Sequence, residues 1–190
     1  MTVQNSVAVR NAYGDVFEST IGTAAKIALY TGAPPADCAT AASGTKLIEW
    51  TLASDWSAAA ASGVKSLSGT PLTATGLADG TAGYYRITNN AGSTCHEQGT
   101  VTRTAAAWAI STAYTIGQYR RANGNLYLCD TNGTSAGSGT GPSGTGTNIA
   151  DGTTQWDYVS AYGDATIDNP VIATDQTITI SSWSKTYPGA

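Results

Sequence analysis

The dipeptide Asn123-Gly124 is the feature that most constrains the fold of this chain. It lies between Tyr119–Ala122 and Leu126–Cys129, two runs with the composition of strands, and Asn-Gly in that setting favours a two-residue β-hairpin. A glycine-rich stretch over 133–146 follows and predicts an irregular loop. The run Thr154–Val159 then predicts a third strand. Three strands that carry aromatic residues are enough to hold together as a small β module.

Outside this segment the pattern predicts one helix followed by short strands. Apolar residues recur at three- and four-residue spacing over 5–21, with Asn5 as the expected N-cap and Gly22 as the expected stop. Apolar or alternating runs bounded by turn residues predict the strands. These strands are expected over 26–30, 45–52, 64–68, 84–88, 95–103, 164–169 and 176–183.

The segment 105–160 looks inserted into this second pattern. Removing it would bring Val101–Arg103 next to Asp164–Ile167 as neighbouring strands of one sheet. We therefore predict a discontinuous β-rich domain over 1–104 and 161–190, interrupted by an inserted module over 105–160. The expected fold class is mainly β: a small antiparallel β-sandwich or barrel with one N-terminal helix, plus an inserted three-stranded β module.

Composition argues against several classes of protein. Only 12% of the residues are charged, about half the usual share, and the formal net charge is -4 with a pI near 4.7. This acidic balance argues against a nucleic-acid partner. No apolar run approaches the ~18 residues that a membrane-spanning helix needs, and the first residues lack the pattern of a secretory signal. We expect synthesis in a cytoplasm and no membrane partner.

The chain contains three cysteines, Cys38, Cys95 and Cys129, and none of them forms a C-x-x-C pair. A metal site is therefore not expected. Free thiols are the expectation for cytoplasmic synthesis, and a Cys38–Cys95 disulfide within the discontinuous domain is the alternative. Cys129 is expected to be a small buried hydrophobic residue.

Residues of common catalytic sites are scarce. His96 is the only histidine of the sequence, so catalytic triads and histidine metal clusters are nearly excluded. The aspartates lie where β-turns are expected, which is their commoner role. We predict that the chain is not an enzyme and needs no cofactor.

One set of aromatic residues carries the chemistry of a candidate binding site. Aromatic faces stack on the C–H faces of sugar rings, and neighbouring polar groups bond the hydroxyls. A module this small also needs aromatic residues for its own core, so some of the set must be structural. The glycan-binding candidates are Trp108, Tyr114, Tyr119, Tyr127, Trp156 and Tyr158.

The inserted segment resembles small carbohydrate-binding modules. The resemblance to the chitin-binding-like modules of secreted glycosidases is carried by Trp108, Ala113-Tyr114, Gly117, Asn123-Gly124, Leu126-Tyr127 and Trp156. The long 130–152 loop and the Asp-Gly-Thr-Thr-Gln-Trp return depart from that pattern. They are similar instead to carbohydrate-binding-like inserts of phage tail and head proteins. This resemblance implies a module with exposed aromatic residues on a three-stranded sheet.

The rest of the chain resembles a family of small virion proteins of tailed bacteriophages. The segments that carry this resemblance are Val9–Ala12, Ser19–Ala24, Leu29–Cys38, Thr51–Trp56, Asp79–Ile87, Cys95–Val101 and Ile178–Ile180. In relatives without the insert, the strand after the Gly-Thr-Val run leads directly into the Asp-rich strand, in agreement with the boundaries above. The resemblance implies a structural virion component of the head decoration or cement type.

These expectations combine into one functional prediction. The chain is predicted to be a non-enzymatic structural protein of a phage particle, a capsid decoration (cement) protein that binds the outer shell and displays the insert as a surface knob. Its expected partners are the major capsid protein or other virion proteins, and further copies of itself in a homo-oligomer. The alternative is a tail- or fibre-associated adhesin whose insert binds host-surface glycans. In both cases the expected location is the virion.

Overall fold

The computed structural model describes residues 4–187, so the ends of the predicted discontinuous domain, 1–3 and 188–190, lie outside the described residues. The chain is mainly β, with 43% strand and 8% helix, which confirms the predicted fold class. In chain order the elements are α1 (Val7–Ile21), β1 (Lys26–Thr31), β2 (Lys46–Thr51), β3 (Val64–Ser66), β4 (Leu72–Thr75), β5 (Gly80–Thr88), β6 (Cys95–Arg103), β7 (Ala106–Ala107), β8 (Ala113–Tyr114), β9 (Tyr119–Ala122), β10 (Asn125–Thr131), β11 (Gly133–Thr134), β12 (Ile149–Asp151), β13 (Thr154–Ala161), β14 (Ala165–Ile167), β15 (Val171–Ile172), β16 (Thr177–Ile180) and β17 (Ser184–Thr186).

Two compact units make up the chain. Unit 1 is Met1–Gly99 with Val171–Ala190, and unit 2 is Thr100–Pro170. Strand β6 begins in unit 1 and continues into unit 2. The predicted boundaries near 105 and 160 both fall inside unit 2, and the insertion itself stays a prediction.

Helix α1 begins and ends on local capping signals. The predicted cap Asn5 is wrong by one residue, because the Oγ of Ser6 accepts the Val9 backbone N–H at 3.3 Å. Gly22 has φ 86, a conformation that favours glycine, and its N–H donates to the Glu18 carbonyl at 2.9 Å. The predicted stop at Gly22 is confirmed.

The main sheet of unit 1 has the strand order β6-β5-β1-β2, and β15 also pairs with β5. Strand β1 pairs antiparallel on both sides, so that Leu29 lies opposite Ile48 and Tyr85. The run Ile27–Tyr30 is buried throughout, as expected for an apolar strand covered on both faces. Two further antiparallel pairs, β4–β16 and β3–β17, belong to the same unit.

A buried lysine on β3 forms ion pairs with two carboxylates of α1. The Lys65 side chain on β3 is only 2% exposed, and its ammonium lies 3.0 Å from Asp15 Oδ1 and 2.8 Å from Glu18 Oε2. The two carboxylates also accept the backbone N–H groups of Ala60 and Ser57. A charge removed from water needs such partners. Asp15 and Glu18 therefore link α1 to β3.

These contacts shift the pKa values of all three groups toward their ionised forms. The Ala60 backbone hydrogen bond, followed by that of the Lys65 ammonium, lowers the pKa of Asp15. Burial raises the pKa of Glu18, but the hydrogen bonds from Lys65 and Ser57 outweigh it, so the net shift is downward. Burial likewise opposes ionisation of Lys65, and the two carboxylates outweigh it, so that the pKa of Lys65 is raised. The carboxylates stabilise the fold above their unfolded pKa values, and the lysine does so below its own.

We expect Lys65→Met to destabilise unit 1 by about 2 kcal/mol at neutral pH, because two carboxylates lose their cation. This loss is smaller than for a fully enclosed pair, since Asp15 is half exposed and water can solvate it. Urea unfolding at several pH values measures the effect. The wild type should lose its excess free energy of unfolding over the variant as the pH falls. The loss begins below the ordinary pKa values of 3.8 for Asp15 and 4.5 for Glu18 and continues through their lower pKa values in the folded protein.

Lys46→Met is the matched control, because Lys46 forms a more exposed ion pair with Glu49. Its cost should stay below about 1 kcal/mol. Equal losses in the two variants would contradict the role assigned to the buried pair.

Unit 2 contains the predicted hairpin. Strands β9 and β10 pair antiparallel about Asn123 and Gly124, whose φ values of 49 and 75 suit a type I′ turn. The main sheet has the order β12-β13-β10-β9-β7, and β8 pairs separately with β11. The predicted third strand is β13.

One predicted strand pairing of unit 2 is confirmed and has a parallel direction. Strand β14 lies beside Val101–Arg103, and the two segments run the same way. The long intervening segment lets the chain return to enter β14 in the same direction, which is the kind of connection that parallel strands need. No closed barrel forms among residues 4–187, so the sandwich form of the fold prediction applies.

Candidate functional site

Three of the six glycan-binding candidates lie in the core of unit 2. Tyr114 is 3% exposed, while Tyr127 and Trp156 are completely buried. The rings of Tyr114 and Trp156 meet edge to face with 5.0 Å between their centroids, and Cys129 belongs to the same cluster. A ring without an exposed face cannot stack on a sugar. We therefore withdraw these three residues as glycan-binding candidates and assign them, with the buried Cys129, to the core.

The carboxylate of Asp151 organises this core. Its Oδ2 accepts the indole N–H of Trp108 at 2.7 Å and that of Trp156 at 3.0 Å. Its Oδ1 accepts the Ala136 backbone N–H at 2.9 Å. Asp151 is buried, and no lysine or arginine pairs with it in the described part of the chain. Three hydrogen bonds replace the hydration that its oxygens lose on burial.

The other three candidates are half-buried and also pack against protein. The glycine-rich loop approaches Trp108 so closely that a Cβ on Gly141 would lie 2.7 Å from the Cδ2 atom of the indole. The Arg103 guanidinium lies 4.9 Å from the centre of the Tyr119 ring. Tyr158 meets the buried Tyr127 edge to face at 6.1 Å. All six aromatic residues therefore have a packing role, and the sequence carried no signal for Asp151 as their common acceptor.

We expect Asp151→Ala to destabilise unit 2 by about 3 kcal/mol, because two indole N–H groups and one backbone N–H lose their acceptor inside the protein. Urea unfolding followed by tryptophan fluorescence measures the loss. Asp130→Ala is the control, since Asp130 is a half-buried strand residue outside this network. Equal midpoints for Asp151→Ala and the wild type would contradict the assignment.

The second candidate surface is the outward side of α1 in unit 1. Val9, Tyr13 and Val16 follow i, i+4, i+7 spacing and are 40%, 51% and 59% exposed. Ala12 lies among them and is also exposed. These four residues, here called the α1 outer face, carry the very periodicity that predicts the helix. Ile21 and Phe17 are the large apolar residues of α1 that turn inward; Ile21 is buried, and Phe17 contacts Trp56 and Trp183.

A pocket of about 270 Å³ adjoins the α1 outer face within unit 1. The Lys185 ammonium lies 4.7 Å from the centre of the Phe17 ring and bonds Glu97. The pocket is lined by Tyr13, Val16, Phe17, Thr20, Ile21, His96, Lys185 and Tyr187. Its walls are mostly apolar, with one imidazole and one ammonium group.

The predicted cysteine pair is close in space. The Sγ atoms of Cys38 and Cys95 lie 2.9 Å apart, and both residues are free thiols. The disulfide therefore stays a prediction. Burial, followed by the Cys95 thiol, raises the pKa of Cys38 to about 11. Across residues 4–187, no group of three or more His, Cys, Asp or Glu side chains is placed to hold a metal ion.

We expect the reduced Cys38 thiol to react with iodoacetamide at pH 8 on the order of a hundredfold more slowly than an ordinary cysteine, because so little thiolate is present. The rate should rise with pH until the pKa near 11 is passed. Mass spectrometry of peptides after timed labelling measures it, and labelling in denaturant is the control. Rapid labelling of the folded, reduced protein at pH 8 would contradict the raised pKa.

Comparisons with known proteins leave the family resemblances of the sequence as predictions. No helix of the described residues is both long and apolar enough to cross a bilayer. No family model, no curated protein and no solved structure matches this chain.

Proposed function

We propose that the chain is a non-enzymatic structural protein of a phage particle, a decoration protein that attaches to the outer shell through unit 1. The α1 outer face is the observation that carries this proposal. The sequence resemblance to small virion proteins supplies the class of partner, the major capsid protein or another virion protein.

The α1 outer face has the properties of a protein-binding surface. A helix normally turns its apolar stripe toward the core, and exposed apolar patches on soluble proteins mark interaction sites. Here Asp15 and Glu18 are paired with the buried Lys65. Val9, Tyr13 and Val16 remain in water. One aromatic and two branched aliphatic side chains are the kind of residues found at the centre of stable interfaces.

The α1 outer face carries no charged side chain, and this determines the driving force and the salt dependence of attachment to the shell. None of Val9, Ala12, Tyr13 and Val16 can form an ion pair. Attachment through them is therefore driven by burial of apolar area and depends little on salt. A modest affinity suffices on a symmetric shell, because many copies stabilise the shell together.

The assay uses phage particles that have been prepared without this protein and adds the purified protein to them. We expect Val16→Glu to bind these particles at least about tenfold more weakly than the wild type, because a carboxylate would lie inside the apolar contact. Ile116→Glu is the matched control, since Ile116 is 63% exposed on unit 2. It should bind like the wild type. Co-sedimentation with particles at low and high salt measures both.

Electron microscopy of the intact particle tests where the chain lies. Density for the chain on the outer shell is the expected result. Density confined to the tail would overturn decoration and favour the adhesin. Equal binding of Val16→Glu and the wild type would overturn the α1 outer face as the attachment surface.

A further inference from the structure

A small pocket in unit 2 brings a cation, an aromatic ring and an amide together on the exposed side of the hairpin. Its volume is about 260 Å³. It is lined by Ala107, Arg121, Ala122, Asn123, Gly124 and Tyr162, here called the Arg121 pocket. Tyr162 is not among the six aromatic candidates of the sequence, and the Arg121 guanidinium lies over its ring.

Arg121 differs from the other basic residues of the protein. All four lysines, Lys26, Lys46, Lys65 and Lys185, form ion pairs with glutamate or aspartate. Four arginines donate hydrogen bonds to protein oxygens, namely Arg10, Arg86, Arg103 and Arg120. Among residues 4–187, Arg121 has neither an ion pair nor a hydrogen bond from its side chain. Its contact is with the Tyr162 ring, whose centre lies 5.7 Å from the guanidinium carbon.

This geometry leaves the donors of Arg121 available to a ligand. A guanidinium held near an aromatic ring keeps N–H groups directed away from the ring, and their fork matches a carboxylate or a sulfate. The lining residues include no carboxylate that would compete. One unopposed cation suits a ligand group with a single negative charge.

The remaining walls suit a sugar ring. Ala107 and Ala122 have small apolar side chains, and the Tyr162 ring offers an aromatic surface for C–H groups. The Tyr162 hydroxyl accepts the Ala105 backbone N–H at 3.4 Å and keeps its own proton for donation. At about 260 Å³ the pocket falls below the roughly 300 Å³ at which pockets for drug-sized ligands begin, so it suits one ring rather than a long ligand.

The backbone around the Arg121 pocket is held by hydrogen bonds. The Trp108 N–H donates to the Arg121 carbonyl at 3.0 Å, and the Tyr162 N–H donates to the Gly124 carbonyl at 2.8 Å. The Asn123 amide donates to the Pro142 carbonyl at 2.9 Å, which ties the turn to the glycine-rich loop. A site whose frame is already ordered loses little entropy when it binds a ligand.

We propose that the Arg121 pocket binds an acidic saccharide unit, a sugar ring that bears one carboxylate or one sulfate ester. Arg121 pairs with the acidic group, and Tyr162 contacts the ring. This inference goes beyond the proposed attachment through unit 1 and does not depend on it, since its residues all belong to unit 2.

The test measures binding of defined small glycosides to the purified full-length protein by calorimetry and ligand-observed NMR. The probes are methyl glucuronide, a methyl sialoside, galactose 6-sulfate, neutral methyl glucoside, and acetate as an anion without a sugar ring. We expect at least one acidic glycoside to bind about tenfold or more tightly than methyl glucoside and acetate, and added salt to weaken it. Arg121→Gln should reduce that affinity at least about tenfold and leave the melting temperature nearly unchanged, because the exposed Arg121 side chain forms no ion pair or hydrogen bond with residues 4–187.

Arg103→Gln is the matched control. It removes the same charge from unit 2, and its guanidinium also lies over a tyrosine ring, that of Tyr119. It should bind the acidic glycoside like the wild type. Tyr162→Phe keeps the ring, so partial loss of affinity is expected from the missing hydroxyl alone. Failure of all acidic glycosides to bind, equal binding of acetate or methyl glucoside, or equal loss in Arg103→Gln and Arg121→Gln would each overturn the proposal. None of these outcomes concerns attachment to the shell.

Discussion

The ammonium of Lys65, held between Asp15 and Glu18, links α1 to β3. Burying an ion pair adds little net stability, because desolvation offsets most of the attraction. A buried ion pair nevertheless destabilises every alternative conformation in which one of the two charges is buried without its partner. Together with the inward side chains of Phe17 and Ile21, this link fixes the rotation of the helix. Val9, Tyr13 and Val16 remain in water. The surface that we propose for attachment is the part of the helix that these contacts leave exposed.

Unit 2 depends on a comparable arrangement around Asp151. A module of this size has few aliphatic residues with which to build a core, and aromatic rings fill it instead. Indole rings bring N–H groups that need acceptors when buried. One carboxylate satisfies two of these groups and the Ala136 backbone at once. The aromatic set that suggested a sugar-binding surface is therefore mainly the internal structure of the module, and the proposed saccharide site lies beside it at Arg121.

Features determined by short stretches of sequence were predictable. The Asn123-Gly124 turn needs two residues with positive φ, and few dipeptides accept that conformation. Gly22 ends α1 for the same backbone reason. Strand β4 was missed, because its partner β16 lies about a hundred residues later in the chain and its short polar sequence has little local signal. Asn5 and Ser6 are both good caps, and which of them is used depends on where the rest of the helix docks.

The sequence by itself determined the periodicities of this protein: a helix that ends at Gly22, strands broken by turn residues, and a hairpin at Asn123-Gly124 in an aromatic-rich segment. These follow from backbone sterics and from side-chain spacing within a few residues. Only the tertiary structure decided which side of each element is buried. Both decisions rest on buried polar groups that meet over long distances in sequence, the Lys65 ammonium with the helix carboxylates and the Asp151 carboxylate with the indole N–H of Trp108. A local pattern cannot contain them, because the cost of an unpaired buried charge depends on which distant groups meet it.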